Sequence, residues 1–377
     1  MNNDSKIVFN KTVQGYSHKK RDIICQDYSK ALDLSSVEPG CYFAAVADGH
    51  GDKTCIRSNI GSMYAVDSSV FYMQRFIDLC KRNGGSYKYF LDNGDQAVKH
   101  ITDSIILSWH EKIREDFNTR PLTEHERNVS GDYLKFYESG DEFEHAYGTT
   151  LIIAMLTEDY LLCIHHGDGR CIVFWEDGTC EQPVAWDKEC VGNTTSSLCD
   201  ADAAERIRHS FIRLDGRKPL GIFLMSDGVE DAFTDADMEG TYAFIKSLIV
   251  NELAEGNRSV VEARIEELLP EFSEKGSGDD ISIAGIVDRE MISSVKDEFA
   301  GAMDSYLTGQ KIADLKNRLP AMEHMDAAKK QKIDTADGDE QRQLFTDEYE
   351  QYHNEYMQKK NELDELLSKA KEEKQEV

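Results

Sequence analysis

The chain has 377 residues, 71 of them Asp or Glu against 43 Lys or Arg, for a formal charge of −28. This length suits about two domains with a sizeable core, and the 40% apolar content is too high for a disordered chain. A field this negative repels phosphates at long range, which argues against nucleic acid and anionic membrane surfaces as partners and favours attraction of cations.

In chain order, the first residues, MNNDSKIVFNK, lack an apolar core and a small-residue cleavage site, so no signal peptide is expected. No apolar run reaches the eighteen or so residues of a membrane-spanning helix. Short apolar runs bounded by Gly, Asp and Pro predict strands over Tyr28 to Leu32, Cys41 to Ala47, Leu151 to Leu156, Tyr160 to His165, Cys171 to Trp175, Gly221 to Ser226 and Ile281 to Val287. Helices are predicted over Lys53 to Lys81, with room for one break, and over Asp92 to Phe117, Asp235 to Leu253 and Val260 to Leu269. Between them, Thr119 to Ala146 is polar and reads as a mobile excursion. Runs of strands separated by blocks of helices, without strict βαβ alternation, favour an antiparallel α+β architecture. Nine cysteines, all before residue 200 and with no CxxC pair, are expected to be reduced thiols in a cytoplasmic protein.

After Val287 the composition turns to Glu, Lys, Gln, Ala and Leu, so residues 1–287 are read as one domain and 288–377 as an acidic helical extension. Three helices are expected there, with breaks at Pro320 and at 334–340. In the last helix Tyr349, Tyr352, Tyr356, Leu363, Leu366 and Ala370 follow an imperfect heptad seam. Docking on the body, self-association as a coiled coil, engagement of a helical partner and plain solvation all remain open for it.

The informative acids punctuate the strands. Asp27 (in CQDYSKAL) precedes the first predicted strand, and Asp48 (VADGHGD) follows the second. Asp168 (HHGDGR) and Asp227 (LMSDGVEDAF) each end a strand, while Asp279 and Asp280 (GSGDDISIAGIV) begin the last. Antiparallel pairing of neighbours would gather four or five of these carboxylates at one end of a sheet. Crowded carboxylates raise one another's pKa unless a cation neutralises them. Oxygen ligands without His or Cys partners select Mg²⁺ or Mn²⁺.

In this order and spacing, CQD, VADGHGD, YGTT, HHGDGR, MSDGVEDAF and GSGDDISI resemble the motifs of the type 2C metal-dependent protein serine/threonine phosphatases, over about residues 10 to 287. His18 ahead of CQD resembles the bacterial-type branch. The resemblance implies a two-sheet antiparallel β-sandwich flanked by helices, in an α-β-β-α arrangement, with a binuclear metal centre at one end. It implies that Asp48 bridges two Mg²⁺ or Mn²⁺ ions, that the Gly49 carbonyl binds one of them, and that Asp27 reaches the metal through water. Asp227 and Asp279 would hold the other ion, and Asp231 would link to a third, weaker one. Asp280 stands where Asn is usual, which leaves open which acid of the pair binds. Asp168 is ranked below these acids, because its motif more often supports loop structure.

The implied reaction is hydrolysis of phosphoserine or phosphothreonine in a protein substrate, by a water bridging the two metals. His50 matches the general acid that protonates the departing alkoxide. Many relatives carry an Arg ahead of the first acid to clasp the phosphate. Here the candidates are Lys19, Lys20 and Arg21, of which Arg21 is preferred, with His18 in the bacterial-type register. Gln26 stands where relatives often have Glu. Residues 176–219, with Trp186, Asn193, Thr194 and Thr195, correspond to a variable flap and read equally well as a surface loop. The alternative is a pseudophosphatase-like regulatory or binding module that uses the helical tail to engage a partner; retention of the acids argues against it. The same chemistry on a small phosphorylated molecule is a third reading.

Overall fold

The computed structural model describes residues 5–82, 84–188, 190, 194–233 and 238–373. The expected helix start at Asp235 and the flap residue Asn193 lie outside the described residues. The strands are β1 (Lys6–Val13), β2 (Tyr28–Asp33), β3 (Tyr42–Ala47), β4 (Leu151–Leu156), β5 (Tyr160–His166), β6 (Arg170–Trp175), β7 (Cys180–Glu181), β8 (Arg208–Arg213), β9 (Pro219–Met225) and β10 (Ile281–Asp288). They form two antiparallel sheets of five strands, in the orders β1-β10-β9-β6-β7 and β2-β3-β4-β5-β8.

Strand β4 shows why the inner strands read as unbroken apolar runs. Leu151, Ile153 and Met155 face a helical layer that includes Met73, Ile77, Ile105 and Trp109. The alternate residues Ile152, Ala154 and Leu156 face the other sheet, against Val173, Ile222, Leu224 and Ala284. With side chains alternating between two buried faces, every position must be apolar. The helical layer consists mainly of α2 (Ser58–Lys81), which follows the short α1 (Tyr16–Arg21), together with α3 (Ser86–Asn93) and α4 (Asp95–Thr119).

Three strands, β1, β7 and β8, fall outside the predicted set, and each lies at the edge of a sheet. Edge strands tolerate charge, as in KIVFNKTV and RHSFIR, and that charge masks the apolar alternation. The segment expected to be a mobile excursion is instead built from α5 (Glu124–Val129), α6 (Leu134–Ser139) and two short 3₁₀ turns. Beyond it come α7 (Ala203–Arg206), α8 (Asp227–Glu230), α9 (Glu239–Leu248), α10 (Arg258–Lys275) and α11 (Ile292–Phe299). On the outer face of the first sheet Gly285 makes room for Phe9, since a Cβ there would sit 2.6 Å from the Phe9 ring.

The chain divides into two compact units, Met1–Thr241 with Leu248–Phe299, and Tyr242–Ser247 with Ala300–Val377. The first unit thus continues past Val287 to include α11, whose Ile292, Val295 and Phe299 are buried; the Phe299 ring packs edge-on against Phe174. In the second unit α12 (Ala302–Asp334) and α13 (Asp339–Glu373) pair along their length, joined by Lys311–Glu362, Lys329–Glu348 and His353–Asp326 contacts. The expected break at Pro320 does not occur, because α12 runs straight through it. A proline removes one helical hydrogen bond, and here packing along α13 outweighs that loss. The break at 334–340 is present. The heptad seam is half-buried or buried in this pairing, Tyr356 most deeply. Among the described residues no helix is long and apolar enough to cross a membrane.

Candidate active site

Register brings the strand-end acids together. Tyr28 pairs with Ala47, so Asp27 and Asp48 flank one end of the β2–β3 hairpin. Leu151 pairs with His166, which carries Asp168 to the same end beside Thr149 and Thr150. Met225 pairs with Ile283, so Asp227 leaves β9 next to where Asp279 and Asp280 lead into β10. A cavity of about 680 Å³ opens there, lined by Asp48, Gly49, His50, Asp168, Asp227, Asp231 and Asp279 among others.

These acids are crowded and poorly solvated. Asp27 is 6% exposed, and its Oδ2 is buried without a hydrogen-bond partner. Burial, then the charge of Asp280, pushes the Asp27 carboxyl well above the usual carboxylate range. Asp48 is raised in the same way, by burial and then by Asp27 and Asp227. Asp227 is pushed up to about 7, again chiefly by burial, with Asp168, Asp279 and Asp231 adding to it against a hydrogen bond shared with Asp48. Asp231 follows the same direction through partial burial and the neighbouring Glu230. Four carboxylates that resist ionisation and one orphaned buried oxygen form an arrangement that a cation would relieve.

Asp280 stands apart. Its Oδ1 accepts from the Gly15 N–H at 2.6 Å and its Oδ2 from the Gln26 N–H at 2.7 Å. His18 Nδ1 lies 3.0 Å from Oδ1, while His18 Nε2 is 3.5 Å from Asp279 Oδ1. Burial works to raise Asp280, but the His18 contact and the two backbone donors hold it below the usual range. The same Asp280 contact raises His18. Asp280 therefore has its oxygens committed to the protein, and Asp279, half exposed, is the acid of the pair that lines the cavity.

The loop after β3 passes very close to its neighbours. A Cβ on Gly49 would meet the Gln26 carbonyl at 2.5 Å and the Ser58 carbonyl at 2.7 Å, so only glycine fits. The Gln26 side chain donates to the His50 carbonyl (3.1 Å) and to the Ser58 hydroxyl (2.6 Å), a bracing role that its amide serves and a Glu could not. His50 reaches the cavity with Nε2 buried and unpartnered. Burial lowers its pKa, while Asp168 and Asp200 pull the other way.

Two expectations change. Arg21 does not reach the cavity: its guanidinium turns back to the Ser17 carbonyl and hydroxyl, each at 3.2 Å. Lys20 sits over the Tyr16 ring, and no Lys or Arg lines the cavity among the described residues. His18 is likewise buried against Asp280, behind Asp279, and does not itself line the cavity. Conversely Asp168, ranked low from its motif, lines the cavity, as do Thr194 and Thr195 of the predicted flap. Sequence reasoning missed Thr150, Ser197, Cys199, Asp200 and His145. Only His145 and Thr150 carried a signal, through their place in and beside YGTT.

The family model described as protein phosphatase 2C matches residues 14–270, more than half of the chain. Similar solved structures include the serine/threonine phosphatase Stp1 from Staphylococcus aureus (14% identity, TM-score 0.44, covering 75% of this chain and 94% of that one). PppA, a regulatory component of T6SS in Pseudomonas aeruginosa, is 16% identical with a TM-score of 0.45, over 75% of this chain and 97% of its own. The catalytic domain of the serine/threonine protein phosphatase PstP, in complex with two manganese ions, is 15% identical with a TM-score of 0.41, over 75% and 97%. No curated protein matches the chain. With a family match across most of the two-sheet body, the chain belongs to the protein phosphatase 2C family and is a hydrolase acting on phosphoproteins.

Proposed function

We propose that the carboxylate cluster is a divalent-metal centre and that the protein hydrolyses phosphoserine and phosphothreonine there without a phosphoenzyme. Asp48, Asp227 and Asp279, with the Gly49 carbonyl, would hold two Mg²⁺ or Mn²⁺ ions, with Asp27 behind them and Asp231 beside a third, weaker position. The donors are all hard oxygens, which fits these cations. The ions would supply Lewis-acid charge that neutralises the phosphate oxygens and activates water. The observation that carries this reading is the convergence of Asp48, Gly49, Asp227, Asp231 and Asp279 on one cavity, with a buried Asp27 Oδ2 that has no hydrogen-bond partner.

The chain's own part is to shape the cavity and move a proton. His50 Nε2 is the unpartnered nitrogen from which a proton reaches the departing serine or threonine oxygen. Burial lowers the pKa of the imidazole, and an incoming phosphate dianion would favour its protonated form, as Asp168 and Asp200 already do. Among the described residues no arginine lines the cavity, and Thr150, Thr194, Thr195, Ser197 and His145 are lining side chains that would orient the phosphate.

Hydrolysis of p-nitrophenyl phosphate with Mn²⁺, with and without EDTA, tests the reading. Wild type should turn over only with metal, and Asp227→Asn should lose about 10²-fold or more. Metal-independent turnover, or an unaffected Asp227→Asn, would refute it.

A further inference from the structure

The loop from Asp48 to Arg57 carries Gly49 and His50 but has no sheet ladder of its own. Its first half is tied to the approach to β4, by the Gly49–Thr149 bridge and by the His50 N–H donating to the Gly148 carbonyl at 3.1 Å. Its second half is held by the helical insert. The Tyr137 hydroxyl donates to the Thr54 carbonyl, and the Arg57 N–H donates to the Ala146 carbonyl at 2.7 Å. The Arg57 side chain, 2% exposed, then engages the insert with every nitrogen of its fork. Nε donates to Glu126 Oε1 (2.6 Å), and Nη1 to Asp116 Oδ2 (3.2 Å) and the Tyr147 hydroxyl (3.0 Å). Nη2 donates to the Arg120 carbonyl at 2.9 Å, with the Pro121 carbonyl and Glu126 Oε2 each at 3.3 Å. Arg120 completes a charge-balanced quartet by pairing with Asp116 at 2.9 Å.

A buried ion network contributes little net stability compared with an apolar filling, because both charges must be desolvated. What this one supplies is position: a planar fork bonded to α4, α5 and the link between them can sit in only one place. We propose that the insert, residues 120–147, is a clamp on the site loop and that Arg57 is a positioning residue, which acts through the placement of His50. The inference rests on the proposed role of His50 as proton donor. An error of about 1 Å in such a group costs on the order of 10²-fold in rate.

The test uses the full chain with Mn²⁺, comparing p-nitrophenyl phosphate, whose leaving group needs no proton, with a phosphoserine peptide, whose alkoxide does. Tyr137→Phe removes one hydroxyl from a buried ring, so the melting temperature should fall by only a few degrees and p-nitrophenyl phosphate turnover should stay within about 2-fold. It should lower kcat on the peptide about 10-fold with KM unchanged. Arg57→Lys, which cannot form the fork, should lower peptide kcat about 10²-fold. Glu126→Gln, which keeps an acceptor for Nε, should fall between wild type and Arg57→Lys. Equal losses on both substrates, in step with the folded fraction, would overturn the clamp and leave Arg57 a stabilising residue only. Absence of metal-dependent turnover in wild type would overturn the site reading beneath it.

Discussion

Asp279 and Asp280 are neighbours in sequence and opposite in circumstance. The first is half exposed at the cavity, and the second is spent on two backbone N–H groups and a buried histidine. His18 and Asp280, the acid that stands where Asn is usual, therefore answer one another as a pair. Asp280→Asn should leave metal binding intact and destabilise the protein by about 1–3 kcal/mol, since an amide cannot accept from both N–H groups through two carboxylate oxygens and still pair with His18. Thermal melting with and without Mn²⁺ would check both halves. Asp27, Asp48 and Asp227 shift in the opposite direction to Asp280. Asp27, Asp48 and Asp227 have folded pKa values raised above their unfolded ones. Their contribution to stability is fully present below about pH 4 and is lost as pH rises through the folded values, about 7 for Asp227. In EDTA the melting temperature should fall between pH 5 and pH 8, and Asp48→Asn should flatten that slope; an unchanged slope in the variant would contradict the assignment.

At the scale of elements, the inner strands were legible because both their faces are buried, which leaves runs such as LIIAML with no other sensible reading. The edge strands were not, since charge on an open edge erases the alternation. The acids at strand ends were legible for the same reason as the inner strands, as polar punctuation after apolar runs. Arg57 was not, because nothing near it in sequence marks partners that lie 59 to 90 residues away. Pro320 misled through a local rule that pairing of α12 with α13 overrides. Pro320→Ala should therefore stabilise α12 by about 1–3 kcal/mol, seen as slower amide exchange over residues 312–328. Gly285→Ala should cost about 1–3 kcal/mol, because its Cβ would strike the Phe9 ring at 2.6 Å and meet the Ile222 carbonyl at 3.0 Å. A melting temperature equal to wild type would show that Phe9 can retreat.

For the whole molecule, the charge of −28 poses a problem for a phosphatase, whose substrate is itself anionic. The cavity holds no Lys or Arg among the described residues, so attraction of phosphate falls to bound cations, against the field of the protein around them. The rate of encounter should then depend on the peptide around the phosphate. With Mn²⁺ saturating, raising salt from low to physiological ionic strength should increase kcat/KM for an acidic phosphopeptide and decrease it for a basic one, by up to about 10-fold. Identical salt responses would place the charge too far from the cavity to matter. The account as a whole turns on whether the gathered carboxylates are a cation site, and equilibrium Mn²⁺ binding by titration calorimetry tests this most directly. It predicts two Mn²⁺ per chain in wild type and in Asp280→Asn, with binding lost in Asp48→Asn. Undiminished binding by Asp48→Asn, or none by wild type, would contradict it.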